Sequence, residues 1–436
     1  MAGTEWSPEI RVKPPGPRSR ELSARLARAE SPAVEARREA RELETIVYDR
    51  GEGTFVFDVD GNRYVDLAAG FGALLLGHGD ESVQNAIIAQ TKKLALALGD
   101  VYASEPKVLL CEKLAALYPE PGARVLLGAT GADAVTAALK TAVLATGRSG
   151  VLAFAGAYHG LSYAPLAACG LHASFREPFV EQLGRHVTFA PFPTNEAEEN
   201  DCIIHMQNAL ISGQIGAVLV EPILGRGGCV VPPPLFLRRV RDLCDKAGAL
   251  LVVDEIWTGL GRSGSMLMSV SQGVLADVVC LGKGLGGGVP ISACIGSAKA
   301  MAPWGARGGA TLHTATHFGN PIACAAALAT LARLTELGLA DHARRAGEDF
   351  LELLNERFAG DARVRGVRGR GLMIGVQLDS AARALGAMRA LLERGWIVLT
   401  GGAAGDTLTL TPPLGIELRA LEAFVPALAD ALDASS

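Results

Sequence analysis

The 436-residue chain lacks several things, and each shortage closes a class of function. It has no basic excess: 41 Lys and Arg stand against 46 Asp and Glu, for a formal net charge of -5. A nucleic-acid reader needs a cationic face to displace phosphate counterions, so that class is set aside. It has no long apolar run: nothing approaches the roughly 18 uninterrupted apolar residues of a membrane helix. The opening MAGTEWSPEIRVKPPGPRSR also lacks the apolar core of a signal peptide, so the expected setting is the cytoplasm, with no membrane partner. Cysteine is sparse. The 8 residues (Cys111, Cys169, Cys202, Cys229, Cys244, Cys280, Cys294 and Cys324) form no CxxC pair and mostly sit among Ala, Leu and Val. They read as buried free thiols in preference to disulfides or zinc ligands. No repeat of fixed period is present.

What is there supports a large core: 49% of residues are hydrophobic and 20% charged, the balance of a globular protein. Length alone permits more than one domain. The first 45 or so residues are rich in Pro, Arg and Glu, and SRELSARLARAESPAVEARREARELE has little apolar face, which predicts an arm or partner-contacting segment, with disorder as the alternative. GTFVFDVDGNRYVDL alternates around Asp60-Gly61 and predicts a hairpin. From about 120 to 300, seven β-branched runs (ARVLLGA, VLAFAGA, HVTFAPF, GAVLVEP, ALLVVDE, DVVCLG, ISACIGS) are separated mostly by helix-length segments. Continuous apolar strands with helical connectors predict an α/β fold with a mainly parallel seven-stranded sheet, whose ligands bind at the strand carboxyl ends. The last two runs are joined by a Gly-rich link too short for a crossover, so that pair is expected to be antiparallel. A long helical stretch then leads into a strand, helix and strand arrangement that suits a smaller α/β domain.

Chemistry-bearing residues gather at the predicted strand ends. Gly131-Ala132 open a helix after the first strand, where free backbone N-H groups at a positive helix end suit a phosphate; alone, this is an ordinary strand-to-helix turn. Asp254 ends LLVVDE, where a buried carboxylate needs a cation or a capping role. Lys283 ends the sixth strand between glycines. In a water-poor site its amine loses a proton below the model value of about 10.4 and becomes a nucleophile toward an aldehyde; alone, it reads as a solvated loop lysine. Tyr158 in GAYHG offers an aromatic platform. An aldehyde, a phosphate, a ring nitrogen and a flat ring together describe pyridoxal 5'-phosphate.

The motifs VVDEIWTGLGRSG, CLGKGLGGGVPISACIG, VEPILGRGG, GAYHG and THFGNPIACAAAL resemble those of the class III (ω-type) aminotransferases, pyridoxal-phosphate enzymes of fold type I, from about residue 45 to the carboxyl terminus. The resemblance implies a small domain built from both chain ends: an arm over 1–45, the first part of the small domain over 46–75, the cofactor-binding domain over 76–325 and the rest of the small domain over 326–436. It makes Lys283 the Schiff-base lysine and the base that moves the substrate α-proton, and Asp254 the partner of the ring nitrogen. Tyr158 and Ile256 would flank the ring, Gly131 and Ala132 would hold the phosphate, and Thr316 would reach the phosphate of a neighbouring subunit. A homodimer with shared active sites follows, acting on small-molecule amines and carbonyl compounds.

Phe71, Glu221, Trp257 and Thr409 are the candidate substrate contacts. Trp257 stands where many members have Gln, and an indole donates only one hydrogen bond. Thr409 stands where many have an arginine that grips the substrate carboxylate. Glu221, which in such relatives can pair with that arginine, is expected to be free for an amine or hydroxyl. The expected substrate therefore carries no carboxylate near Thr409. An isomerase, either aminomutase or racemase, shares the scaffold and stays open. Gly282, Gly284 and Gly287 spell GxGxxG but lead through Val289-Pro290 into a strand, which argues against a nicotinamide oxidoreductase. His313 and His317 have zinc-like spacing without the glutamate of HExxH, so no metal is expected.

Overall fold

The structure, a computed structural model, describes residues 7–40 and 45–434. Of the expected arm, residues 1–6 and 41–44 lie outside the described residues. The rest of it carries two helices, Pro17–Ala27 and Pro32–Ala40, the first with Pro in its opening turn, where a missing N-H costs nothing. This segment is docked. Asp60 of the hairpin turn accepts from Arg18 N at 2.8 Å and Ser19 N at 2.9 Å, and Glu9 forms an antiparallel bridge with Arg63.

The hairpin pairs Phe55–Asp58 with Arg63–Asp66 in antiparallel register. Its turn is set by Asp58, whose Oδ1 accepts from the N-H groups of Asp60 and Asn62 at 3.0 and 2.9 Å. The second of these strands runs parallel to Trp396–Ile397, so the chain's early and late segments share one four-stranded sheet. A second four-stranded sheet holds Val364–Arg370, Met373–Leu378, Thr407–Leu410 and Leu399–Gly401 in that order.

The seven strands read from the sequence form one sheet, ordered from edge to edge Arg124–Gly128, Ser292–Gly296, Val278–Leu281, Leu250–Asp254, Ile215–Val220, Gly150–Phe154, Val187–Ala190. The Gly-rich link behaves as expected: Ser292–Gly296 is antiparallel to Val278–Leu281, and also to Arg124–Gly128 on its other side. The remaining ladders are parallel.

The helix Gly131–Thr146 covers one face. Its buried Ala134, Ala137, Ala138 and Ala142 let its backbone lie close to Val252, Val278 and Cys294 in one apolar cluster. The helices Glu196–Leu210 and Phe236–Ala247 contribute Met206, Val240 and Leu243 to the larger core. All 8 cysteines are free thiols and seven are buried. Arg262, fully buried in the loop after Asp254, donates through Nη1 to the carbonyls of Leu372 and Pro412, at 2.8 and 2.5 Å. It ties the large sheet's crevice to the carboxyl-terminal segment. Burial with no carboxylate partner pushes its pKa down to about 9.

Candidate active site

A pocket of about 470 Å³ opens at the carboxyl ends of the central strands, and Gly131, Ala132, Tyr158, Glu221, Asp254, Ile256, Trp257 and Lys283 all line it. Its size lies within the range of small-molecule sites. These eight residues arrive from the ends of five strands or the turns after them, which is where a doubly wound sheet converges.

One wall is the start of the helix Gly131–Thr146. Thr130 and Asp133 form a reciprocal cap: Thr130 Oγ1 accepts from Asp133 N, and Asp133 Oδ2 accepts from Ala129 N at 3.1 Å and Thr130 N at 2.8 Å. The cap satisfies its own donors and leaves the N-H groups of Gly131 and Ala132 for the pocket, at the positive end of a 16-residue helix. A Cβ at 131 would lie 2.8 Å from Ile256 Cδ1 and 3.2 Å from its Cγ2, so a side chain there would push Ile256 out of place. Ile256 is in turn anchored by its N-H, which donates to Asp254 Oδ1 at 3.0 Å.

At the floor, Asp254 is buried and pairs with His159 Nδ1 at 2.7 Å. Burial alone would disfavour a charged imidazole, but the hydrogen bond and charge of Asp254, helped by Glu221, raise the His159 pKa above its ordinary value. His159 Nε2 is buried without a hydrogen-bond partner. Sequence reasoning quoted this histidine inside GAYHG and gave it no role; an aromatic base beside a strand-end acid was the available signal.

Lys283 has a backbone φ of +37°, a left-handed conformation that costs a non-glycine residue energy and that flanking glycines help the turn to reach. Its amine sits 4.4 Å from the centroid of the Trp257 ring and, among the described residues, makes no hydrogen bond or ion pair. Burial pushes its pKa below the usual lysine value; Asp254 and Glu221 oppose that, and Arg226 adds to it. The indole is wedged between two glycines: a Cβ on Gly72 would lie 2.3 Å from Nε1, and one on Gly225 would lie 2.2 Å from Cε3. Nε1 is buried and, among the described residues, has no hydrogen-bond partner.

Glu221 differs from the expectation of a free acid. Its Oε1 accepts from Tyr158 N at 2.8 Å and its Oε2 from Gly225 N at 3.0 Å, so it fixes the aromatic platform and the following turn. Burial pushes its carboxyl pKa up, with Asp254 adding, against His159 and the two N-H donors. Phe71 is 57% exposed, in a short turn with φ of +59°, next to the Gly72 that meets Trp257. Thr409 is buried in the carboxyl-terminal sheet beside Gly401, where a Cβ would lie 2.6 Å from its Oγ1. Thr316 lies exposed in a turn and does not line this pocket. Sequence reasoning also passed over Arg226, whose guanidinium carbon is 4.6 Å from the centroid of the Tyr158 ring.

The residues present suit pyridoxal phosphate: paired free N-H groups for phosphate, a buried acid backed by an imidazole for the ring nitrogen, an apolar wall at Ile256 and an uncommitted amine of lowered basicity.

The model of the aminotransferase class-III family matches residues 36–432. The acetylornithine aminotransferase of Methanopyrus kandleri is 38% identical over 88% of this chain and 94% of its own length. The 5-aminovalerate aminotransferase of Pseudomonas aeruginosa is 33% identical over 90% and 94%. Among solved structures, an amine transaminase from an uncultivated Pseudomonas species, in its pyridoxal-phosphate-bound form, superposes with a TM-score of 0.83 at 31% identity, covering 93% of this chain and 97% of that one.

Proposed function

The chain belongs to the class III aminotransferases, pyridoxal-phosphate enzymes of fold type I that move an amino group in two half-reactions, and from that premise we propose roles for its residues. The isomerase and nicotinamide alternatives are not favoured, since the matched family and the relatives named above are all aminotransferases or transaminases. When bound, the cofactor supplies an aldehyde for the amine and a cationic ring that takes up electrons from the substrate's α-bond.

Lys283 acts first through its neutral amine, a form that desolvation in its partly buried position favours. The same nitrogen would be the group that moves a proton from the substrate carbon. Asp254 holds a proton on the ring nitrogen, and His159, hydrogen-bonded to it, keeps the carboxylate oriented. Gly131 and Ala132 hold the phosphate with backbone N-H groups. Tyr158, locked by Glu221, and Ile256 would be the side chains that flank the cofactor ring. The placement of Lys283 and Asp254 in one pocket carries this reading. Thr409 offers no charge to a substrate carboxylate.

Three further expectations extend the proposal. A homodimer is supported by the exposed apolar residues Leu98, Val101 and Tyr102, at 63%, 71% and 70%, and by Thr316 standing away from its own chain's pocket. The division into an arm, a cofactor domain over 76–325 and a small domain over 46–75 and 326–436 is consistent with the pairing of Arg63–Asp66 with Trp396–Ile397. A cytoplasmic setting is supported by the free thiols. Among the described residues no single helix is long and apolar enough to cross a membrane.

Borohydride reduction of the pyridoxal-phosphate-loaded protein, followed by peptide mapping, should place the cofactor's mass on Lys283. Lys283→Ala should lose about 10⁴-fold in turnover. A single turnover with a ¹⁵N-labelled amine and no acceptor should leave the label on the bound cofactor. A label returned wholly to free amine, or a reduced cofactor attached elsewhere, would overturn the reading.

A further inference from the structure

We propose that Arg226 is the carboxylate-recognising residue of this site, supplying from the turn after Ile215–Val220 the cation that position 409 lacks. The inference rests on the aminotransferase reading and adds a substrate class: donors or acceptors bearing a carboxylate, held by an arginine fork.

The backbone of Arg226 is fixed from both sides. Gly225 N donates to Glu221 Oε2 at 3.0 Å, while Gly402 N, from the carboxyl-terminal segment, donates to the Arg226 carbonyl at 2.9 Å. The turn is closed further by Gly228 N and Cys229 N, which both donate to the Gly225 carbonyl at 3.1 Å. Thr409 lies beside it: the Cβ position of Gly401 is 2.6 Å from Thr409 Oγ1 and 3.5 Å from the Arg226 carbonyl oxygen. A cation anchored here starts next to the strand position where sequence comparison expected one.

The side chain is half-buried and lies over Tyr158, a pocket-lining ring, with its charge close enough to Lys283 to lower the basicity of that amine. Among the described residues its guanidinium makes no hydrogen bond and no ion pair, leaving five N-H donors unspent. Arg176, 4.4 Å from the centroid of the Phe189 ring, shares that state but does not line or flank this pocket, whereas two other partly buried arginines are committed. Arg368 donates to the Gly228 carbonyl at 2.8 Å and to Gln377 at 2.6 Å, and Arg241 pairs with Asp277 at 2.7 Å. A guanidinium held on an aromatic face with a free planar fork matches a carboxylate in a way that threonine or a solvated lysine cannot. Among the described residues no acid pairs with it, so an incoming anion meets an open partner.

Matched substrates that differ only by the carboxylate test this: alanine against isopropylamine, and 5-aminovalerate against pentylamine, with the holoenzyme and Arg226→Met. The ratio of kcat/KM for the acid over its amine partner should fall about 10- to 100-fold in at least one pair, and which pair falls tells whether the α- or the distal carboxylate is held. Arg226→Lys should recover only part of the loss. Binding of glutarate to the holoenzyme, measured by calorimetry, should weaken by a similar factor in Arg226→Met and fall further with added salt. If acid and amine lost activity in equal proportion and glutarate bound both proteins alike, Arg226 would be a prop for Tyr158 and the proposal overturned. A wild type that turned over none of the four compounds and took no label from any amine would instead count against the aminotransferase roles, with the glutarate measurement still deciding the anion site.

Discussion

Asp254 and Glu255 leave the same strand end in opposite directions, and the regions they enter treat polar groups differently. Asp254 enters the crevice, where it meets His159 Nδ1 at 2.7 Å and Ile256 N at 3.0 Å. Around it, His159 Nε2 and Trp257 Nε1 have no partner, and the Lys283 amine faces an aromatic ring. Glu255 enters the loop behind. It accepts from Met268 N at 2.7 Å, Ser269 N at 2.9 Å, Ser269 Oγ at 2.6 Å and Thr258 Oγ1 at 3.3 Å. Both acids are buried, so burial does not separate them. The state of the surrounding donors does. A structural carboxylate is surrounded until its capacity is used, whereas a crevice keeps donors idle for a ligand to engage, and the fold carries that cost.

The sharpest way to break the comparison is to remove each acid. Asp254→Ala should lower kcat/KM by about 10³-fold, roughly 4 kcal/mol of transition-state stabilisation, and, since it strips the acceptor from only His159 Nδ1 and Ile256 N, should cost less stability than the Glu255 variant. Glu255→Ala should do the reverse. Leaving two buried N-H groups and two hydroxyls without an acceptor should cost about 2–3 kcal/mol in urea unfolding, with the rate per folded molecule within about 3-fold of wild type. A Glu255→Ala protein that melted normally and lost activity as deeply as Asp254→Ala would erase the distinction.

A pH measurement sharpens it within the crevice. A lysine of lowered pKa is neutral, and competent to capture an aldehyde, above that pKa, and it loses competence as pH falls through it. The rate at which apoenzyme takes up pyridoxal phosphate should therefore rise with pH through a midpoint below the ordinary lysine value of about 10.4. The neighbours set two signs. Arg226→Met removes a charge that lowers the pKa and should move the midpoint up; Asp254→Ala removes one that raises it and should move the midpoint down. Both variants moving it the same way would mean that the crevice charges are not organised around Lys283.

The strands of the large sheet and the residues at their carboxyl ends were legible because both follow from local pattern. Apolar runs with helical spacing dictate a parallel sheet, and such a sheet brings Gly131, Asp254 and Lys283 to one edge whatever the side chains do. The antiparallel last pair was legible from a link too short to cross over. What escaped depends on meetings between distant segments. Nothing near Asp60 announces that it anchors Arg18 and Ser19, and nothing in VEPILGRGG says that its acid is spent on Tyr158 while its arginine is not. Thr316 illustrates a third case: it is exposed and stands off the pocket, so its own chain offers nothing against which the expected cross-subunit role can be read.

Far from the crevice, the carboxyl-terminal segment extends the structural half of the comparison to the surface. Arg363 there joins Asp361 at 2.8 Å and Asp433 at 2.6 Å, and its fork is fully occupied. The Arg363 hydrogen bond holds the Asp361 carboxyl well below the usual range, at about 2. A carboxylate depressed on folding adds stability above its unfolded pKa of about 3.9, and that contribution is lost as pH falls through the folded value. Solvent screening of a partly exposed cluster reduces it, so Asp361→Asn should cost about 1 kcal/mol in urea unfolding at pH 7. The difference from wild type should shrink between pH 4 and pH 2. Activity should not change, because this arginine, unlike Arg226, has its anion already; a drop in kcat with unaltered stability would show that charge pairing in this segment is coupled to the crevice after all.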